Sequence, residues 1–115
     1  MHRDIKLDNI LINIKETGGY NVKIADFGLA TFFNKNMHKL VYIKCGTPGY
    51  VAPEILRGEG YDNKCDIFSS GSLLFNLLTG LYLFAGDENQ ELLKMNRRCD
   101  FSQVPSVLGG LTREC

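Results

Sequence analysis

The sequence predicts an α+β fold that is mainly helical, with one short β-hairpin near its start. Two short apolar runs, 10–14 and 22–25, flank the pair Gly18-Gly19, as expected for two strands joined by a turn. Farther along, apolar residues at helical spacing and glycine stop signals predict three helices. With 115 residues the chain is at most one domain, and its hydrophobic fraction of 44% is that of a folded protein.

Composition and charge narrow the classes of function. Thirteen basic and thirteen acidic residues cancel, so nothing favours binding to nucleic acid or to a membrane surface. The apolar-rich stretch 73–84 is too short and too interrupted to span a bilayer, and no signal peptide is recognisable. The four cysteines show no CxxC spacing, which indicates reduced thiols in a cytoplasmic protein rather than a disulfide framework or a metal site. They are Cys45, Cys65, Cys99 and Cys115.

The first nine residues carry groups that phosphoryl transfer needs. The run Met1-His-Arg-Asp-Ile-Lys-Leu-Asp-Asn9 places the carboxylate of Asp4, the ammonium of Lys6 and the carboxamide of Asn9 on one short loop. A carboxylate can orient an attacking hydroxyl and accept its proton, and a cation can offset charge on the transferring group. After the second strand, Asp26 opens an Asp-Phe-Gly motif. We expect the hairpin to bring Asn9 and Asp26 side by side, as oxygen ligands suited to Mg²⁺.

These two motifs, in this order and with a strand pair between them, resemble the catalytic loop and DFG motif of the eukaryotic protein kinases. The resemblance implies that Asp4 is the catalytic base and Lys6 the lysine that serves serine/threonine kinases at this position. It implies Asn9 and Asp26 as Mg²⁺ ligands. The implied ATP-binding residues are Lys6, Asn9, Leu11 and Asp26, with the strand around Leu11 beneath the adenine ring. Simple core packing is the other interpretation of that strand, and the two interpretations can hold together.

The same resemblance gives three neighbouring residues supporting roles. His2 matches a packing residue that helps to hold the phenylalanine of the DFG motif, and is expected to be structural rather than a general base. Phe27 is expected to pack beneath Asp26, with Gly28 as a pivot.

Arg3 matches an arginine that in many kinases pairs with a phosphorylated activation loop. Between Leu29 and Cys45 the only hydroxyl-bearing residues are Thr31 and Tyr42. If Arg3 is regulated by phosphorylation, one of these two must supply the phosphate.

The stretch from Leu29 to Val51 has neither helical nor alternating periodicity, and predicts a long ordered loop of the kind that carries function. It ends in Cys45-Gly-Thr-Pro-Gly-Tyr-Val-Ala-Pro-Glu54, which resembles the substrate-site loop and APE motif of a kinase. In serine/threonine kinases a hydroxyl at the position of Thr47 bridges to the catalytic aspartate and lysine, here Asp4 and Lys6. The resemblance therefore implies serine/threonine specificity, with Thr47 as part of the catalytic site.

Three helices are predicted after this loop. A short one covers 52–57 and is stopped by a following glycine. The main helix covers 64–79, and its apolar residues lie nearly all round it, which predicts a central and buried helix. By resemblance, Asp66 near its start bonds the catalytic-loop backbone from below. A further helix is predicted over 86–97.

The resemblance covers residues 1–101 as a partial protein kinase domain, the centre of the large lobe, and leaves 102–115 as a divergent tail. The glycine-rich loop and the ATP-anchoring lysine of a small lobe are not in the sequence. We therefore expect the fragment to be inactive alone, and its parent protein to transfer phosphate from ATP, with Mg²⁺, to serine or threonine of protein substrates.

Two alternatives stay open. One is a non-catalytic kinase remnant that acts as an interaction module, and the other is a small-molecule phosphotransferase of related fold. Without the helices that would cover it, the main helix should expose an apolar patch, so the isolated chain is expected to aggregate or fold loosely. The sequence indicates no oligomeric state.

Overall fold

The computed structural model describes residues 1–34, 39–84, 86 and 89–109. A single 3₁₀ turn at Leu7–Asn9 is followed by two strands and four helices. The strands are β1 (Ile10–Ile14) and β2 (Tyr20–Ile24), and the helices are α1 (Pro53–Arg57), α2 (Lys64–Thr79), α3 (Asn89–Arg98) and α4 (Val104–Leu108). The predicted α+β class, mainly helical with one hairpin, is confirmed. Positions 35–38 of the predicted loop and positions 87 and 88 of the predicted third helix lie outside the described residues.

The hairpin is closed by its glycine pair. Gly18 and Gly19 have φ angles of 82° and 84°, which are left-handed values that glycine adopts without a steric penalty. The Lys15 N–H donates to the Gly19 carbonyl at 3.1 Å, and the two strands then pair antiparallel, residues 10–14 with residues 20–24. Because the turn is this tight, β2 begins at residue 20 rather than at the predicted residue 22.

The helix ends follow the predicted signals closely. α1 begins with Pro53 and ends at Arg57, and it is followed by Gly58, whose φ of 76° is left-handed. α2 has the predicted bounds, and the Gly80 N–H donates to the Asn76 carbonyl at 2.9 Å to close its last turn. The third helix begins three residues later than predicted and ends one residue later, at Arg98. α4 is a short helix in the stretch for which the sequence pattern predicted none.

The expectation that α2 is buried nearly all round is wrong for this chain. Its inner side carries three small residues and Phe75. Ser72 on that side donates to the Gly49 carbonyl, and Cys65 belongs to the same core as Val51, Ala52 and Ile55. The opposite side is open, and Leu77 there is 61% exposed. No segment among the described residues covers it. Buried on the inner side are Cys65, Ser69, Ser72 and Phe75, and exposed on the outer side are Ile67, Leu74, Leu77 and Leu78.

One core of buried residues joins α1, α2 and the segments before each of them. Its members are Val51, Ala52, Ile55, Tyr61 and Cys65, with Met1, Val41, Leu56 and Phe68 packed on its edge. A second cluster surrounds Phe84, which is fully buried between Phe68 and Phe101, with ring centroids 6.3 and 5.5 Å away. Met1 belongs to the first loop (residues 1–9) and Val41 to the long segment (residues 29–51). This core therefore holds both beside α2.

Within the described residues, no helix combines the length and the apolar character needed to cross a bilayer.

Candidate active site

The first loop is anchored on α2 by Asp66. Its Oδ2 accepts the backbone N–H of His2 at 2.7 Å, and its Oδ1 accepts that of Arg3 at 2.7 Å. Arg3 has a φ of 71°, a conformation that costs energy for a residue with a side chain and persists where surrounding contacts hold it. Hydrogen bonds to a carboxylate are among the stronger ones in proteins. The predicted contact between Asp66 and the loop backbone is therefore present.

Asp4, Lys6 and Thr47 form a closed hydrogen-bonded group. The Thr47 Oγ1 hydroxyl donates to Asp4 Oδ1 at 2.6 Å, and Lys6 Nζ donates to Thr47 Oγ1 at 3.0 Å. Lys6 Nζ also lies 3.1 Å from Asp4 Oδ2. The side chain of Asp4 is only 11% exposed, and that of Lys6 is 22% exposed. The structure thus brings together three of the predicted site residues from two distant segments.

Asn9 is the fourth member of this group. It ends the 3₁₀ turn and is buried, and its Nδ2 donates to the Asp4 carbonyl at 2.9 Å and to Asp4 Oδ2 at 3.3 Å. No described residue donates a hydrogen bond to its Oδ1. The amide is therefore oriented by its NH₂ group, which leaves a carbonyl oxygen available to another ligand.

The electrostatics of the group favour an ionised Asp4. Burial by itself raises the pKa of this carboxyl, but the hydrogen bonds from Thr47 and Lys6, the Lys6 charge and the Asn9 hydrogen bond together outweigh it. The pKa of Asp4 is therefore held below its ordinary value. At neutral pH the group is a carboxylate that is fixed in place by three side chains.

A backbone hydrogen bond between the neighbouring residue Ala25 and Asn9 places Asp26 next to this group. The Ala25 N–H donates to the Asn9 carbonyl at 2.8 Å, which joins the end of β2 to the start of β1. Asp26 has a φ of 59°, and its Oδ1 accepts the Gly28 N–H at 3.1 Å. A Cβ at Gly28 would lie 3.0 Å from that Oδ1, so the glycine allows this close approach. The predicted neighbourhood of Asn9 and Asp26 is thus present in the backbone.

The expectation that Phe27 packs beneath Asp26 is wrong for this chain. The ring of His2 meets Phe27 edge-on at 5.0 Å between centroids, as the resemblance implied, but Phe27 remains 65% exposed. His2 itself is buried, and its Nε2 lies 3.0 Å from the Ala25 carbonyl. His2 is the only aromatic ring that contacts Phe27 among the described residues.

Leu11 lies apart from the hydrogen-bonded group. It pairs with Lys23 across the hairpin and is 55% exposed, and Ile12 beside it is exposed as well. The core-packing interpretation of this strand is therefore wrong for the chain as described.

Three polar residues at the site were not predicted. Tyr61 is buried beside Arg3, Ser72 donates from Oγ to the Gly49 carbonyl at 2.6 Å, and Asn96 donates from Nδ2 to the Val51 carbonyl at 3.1 Å. Each holds the backbone of the segment around Thr47 from a distant element. Nothing in the local sequence of a tyrosine, serine or asparagine signals such a contact.

Arg3 and both predicted phosphorylation candidates line one cavity of about 580 Å³. Thr31 and Tyr42 stand on its wall, and Tyr42 is exposed. Arg3 already has two partners in the unmodified chain, because Nε donates to the Leu29 carbonyl at 2.6 Å and Nη1 to the Tyr61 hydroxyl at 3.3 Å.

The chemistry that this arrangement supports is proton acceptance next to a fixed positive charge. Asp4 can take a proton from a hydroxyl placed next to its carboxylate, and Lys6 can offset negative charge that develops there. The described residues contain no group of three or more His, Cys, Asp or Glu that could hold a metal by themselves. Asn9 and Asp26 offer two oxygen ligands, which fits Mg²⁺, since this ion usually keeps several waters and substrate oxygens.

Comparison with known proteins gives consistent matches. The protein kinase domain family matches residues 1–111. A probable serine/threonine-protein kinase 2 of Plasmodium falciparum is 44% identical over 102 residues, which is 89% of this chain and 19% of that protein. Myosin light chain kinase A of Dictyostelium discoideum is 36% identical over 114 residues, 99% of the chain and 38% of that protein. The serine/threonine-protein kinase zyg-8 of Caenorhabditis elegans is 46% identical over 91 residues, 79% of the chain and 11% of that protein. The chain therefore spans well under half the length of each of these relatives.

Proposed function

The chain belongs to the eukaryotic serine/threonine protein kinase family, and from that premise we propose that the protein carrying it transfers the γ-phosphate of ATP to serine or threonine of protein substrates. The observation that carries this proposal is the closed group of Asp4, Lys6 and Thr47. It fixes a carboxylate and an ammonium side by side, and Thr47 lies on the segment that resembles a kinase substrate-site loop.

In the proposed reaction Asp4 orients the substrate hydroxyl and accepts its proton. Its lowered pKa keeps it ionised at neutral pH, so it is ready to accept a hydrogen bond from that hydroxyl. Thr47 and Lys6 hold both carboxylate oxygens, so Asp4 needs no reorientation when the substrate arrives. Lys6 offsets charge on the transferring phosphoryl group.

Asn9 and Asp26 are the proposed ligands of Mg²⁺. The free Oδ1 of Asn9 and the carboxylate of Asp26 supply the oxygen chemistry that this ion prefers. Held by these two residues, Mg²⁺ would supply positive charge that offsets the negative charge of the phosphate groups. Lys6 and Leu11 complete the proposed ATP contacts, with the exposed strand around Leu11 offering an apolar surface to the adenine ring.

Specificity for serine or threonine is supported by Lys6 and Thr47 together, because the pair resembles the serine/threonine kinases at both positions.

An intracellular location of the protein is supported by its free thiols. Cys45, Cys65 and Cys99 are free, and burial, with the charges of Asp66 and Glu54, raises the pKa of Cys65 to about 12, so that it stays protonated and unreactive.

The test is phosphate transfer by the full-length protein to a mixture of serine, threonine and tyrosine peptides, with γ-labelled ATP and Mg²⁺. Asp4→Asn should lower kcat by roughly 100-fold or more, since a general base typically contributes this much. Glu16→Gln, at the exposed hairpin turn, is the charge-matched control and should leave the rate unchanged. Label on tyrosine alone, or equal rates in Asp4→Asn and the unmodified protein, would refute the proposal.

A second candidate, a non-catalytic interaction module, is favoured by one observation. The outer side of α2 and most of the hairpin present exposed apolar side chains, among them Ile12, Leu74 and Leu77. Surfaces of this kind often mark contacts with other protein segments. The same assay separates the two functions, because a module of this kind would transfer no phosphate in any variant.

A further inference from the structure

Tyr61 lies where the long segment crosses the first loop. Its backbone pairs with Val41, with the Val41 N–H donating to the Tyr61 carbonyl at 3.0 Å and the Tyr61 N–H to the Val41 carbonyl at 2.9 Å. Its hydroxyl donates to the Ile43 carbonyl at 2.6 Å. The Cys45 Sγ lies 3.7 Å from the same hydroxyl. One residue thus contacts the segment at three alternate positions.

The same hydroxyl reaches the first loop. Arg3 Nη1 donates to the Tyr61 Oη at 3.3 Å, so this oxygen accepts from Arg3 while it donates to Ile43. The tyrosine is only 2% exposed, so its hydrogen bonds do not compete with water. Burial also raises the pKa of Tyr61, so its hydroxyl keeps the proton that it donates.

The two segments that Tyr61 joins are those that carry Asp4 and Thr47. Arg3 directly precedes Asp4, and Ile43 lies four residues before Thr47. Their backbones come close at one more point, since a Cβ at Gly46 would lie 3.0 Å from the Arg3 carbonyl oxygen. A shift of the segment at Ile43 would therefore move Thr47 relative to Asp4.

We propose that the Tyr61 hydroxyl is a positioning group for phosphoryl transfer, which holds the segment 41–45 against Arg3 and so sets the distance between Thr47 and Asp4. This inference rests on the proposed function. Tyr61 does not touch the reacting atoms, and it acts through Arg3 on one side and Ile43 on the other. Arg3 thereby has a neutral partner beside the segment even in the unmodified chain.

The experiment compares Tyr61→Phe with the unmodified full-length protein. This variant keeps the ring in the core and removes only the hydroxyl. We expect kcat/KM for a peptide substrate to fall by about 10-fold, the effect of leaving buried polar groups without a partner. The KM for ATP should stay unchanged, because the Tyr61 hydroxyl bonds none of the proposed ATP-binding residues. Tyr20→Phe, which removes an exposed hydroxyl at the end of the hairpin, is the control and should match the unmodified protein.

Hydrogen–deuterium exchange separates positioning from general loosening. In Tyr61→Phe, amides of 41–47 should exchange faster while those of α2 keep their protection. Unchanged peptide kinetics, or equal acceleration throughout α2, would overturn the proposal. In the unmodified protein the paired amides of Val41 and Tyr61 should be protected, and rapid exchange there would overturn it without any variant. If the unmodified protein transfers no phosphate, the proposed function fails, and equal exchange of 41–47 in both proteins would then overturn the coupling separately.

Discussion

Thr47 has a double role in hydrogen bonding within the closed group that it forms with Asp4 and Lys6. Its hydroxyl donates its proton to Asp4 and at the same time accepts a hydrogen bond from Lys6 on a lone pair. These two bonds together fix the rotamer of the threonine. A side chain of the same shape without an oxygen would leave both partners short of a hydrogen bond. The geometry of the acid–base group therefore depends on one hydroxyl.

Thr47→Val should lower kcat/KM for a peptide substrate by roughly 10- to 100-fold, because two hydrogen bonds to charged groups are lost. Steady-state kinetics of the full-length protein measures this. Thr79→Val is the matched control, since its hydroxyl bonds only backbone near the end of α2. Equal losses in the two variants would show that a general loss of stability, not the site, causes the effect.

Acid should destabilise the protein partly through Asp4. The folded state lowers the pKa of this carboxyl, so its ionised form stabilises the fold above the unfolded pKa, and this stabilisation is lost as pH falls through the folded pKa. Thr47→Val removes the largest interaction that lowers the pKa, so Asp4 in the folded variant should titrate at higher pH and should contribute less stability for acid to remove. Carboxyl ¹³C NMR titration of Asp4 measures the change. An unshifted titration in the variant would contradict this account.

At the scale of elements, α2 contributes to the core and also anchors the backbone of two segments of the site. Asp66 in its first turn holds two successive N–H groups of the first loop, and Ser72 in its middle holds the Gly49 carbonyl. The first loop, which carries Asp4, and the segment near Thr47 are thereby both anchored on one helix. This explains how a helix with many exposed leucines still fixes the site.

Asp66→Asn should destabilise the protein by about 2 kcal/mol, because an amide can accept with only one of its two terminal atoms and one buried N–H is left unpaired. Chemical denaturation of the full-length protein measures this loss. Asp62→Asn is the control. Asp62 Oδ1 accepts the Lys64 N–H at 2.8 Å, and an asparagine oxygen can accept that bond equally well. A similar loss in both variants would contradict the assigned role of Asp66.

How far the sequence predicts the elements depends on how local each signal is. The bounds of α2 were predicted to the residue, because helical spacing and Gly80 both act within a few positions. The start of β2 was missed by two residues, since it depends on how tightly the glycine turn closes. Tyr61 and Asn96 were missed altogether, because their contacts join distant segments that no local pattern relates.

The parts of the site that could be predicted are those in which a sequence motif specifies which residues lie close together. Asp4, Lys6, Asn9 and Thr47 meet as the resemblance implied, whereas their catalytic and ligand roles stay predictions. Phe27 was expected to be covered and is exposed, and the core-packing interpretation of the strand around Leu11 was wrong. Burial depends on what packs against a residue, and a motif does not contain that information.

At the scale of the whole molecule, apolar surface dominates two regions. The outer side of α2 and the hairpin leave many large side chains in contact with solvent, including Ile14, Tyr20, Leu74 and Leu77. Contiguous surface of this kind promotes association in water. The expectation of loose folding or aggregation follows from this surface, and it concerns the 115-residue chain by itself.

The 115-residue chain should bind a hydrophobic dye such as ANS and elute as more than a monomer. Leu74→Gln combined with Leu77→Gln should reduce both effects, because both leucines are exposed and contribute little to the core. Dye fluorescence and light scattering measure this. Phe75→Gln, one position away but buried, is the contrasting variant and should unfold the chain further. Sharp, dispersed NMR signals from an unmodified monomer would contradict the prediction.

The anchoring of the first loop by Asp66 also has a consequence for the order of assembly during synthesis. The two hydrogen bonds join residues 64 and 63 positions apart. Closing so long a loop costs chain entropy that only the finished contact repays. The loop that carries Asp4 leaves the ribosome before α2 does, so its two backbone bonds to Asp66 cannot form until Asp66 has emerged and the first turn of α2 has formed. The catalytic loop is thus made before the residue that anchors it, and it becomes fully organised only after α2 begins to form.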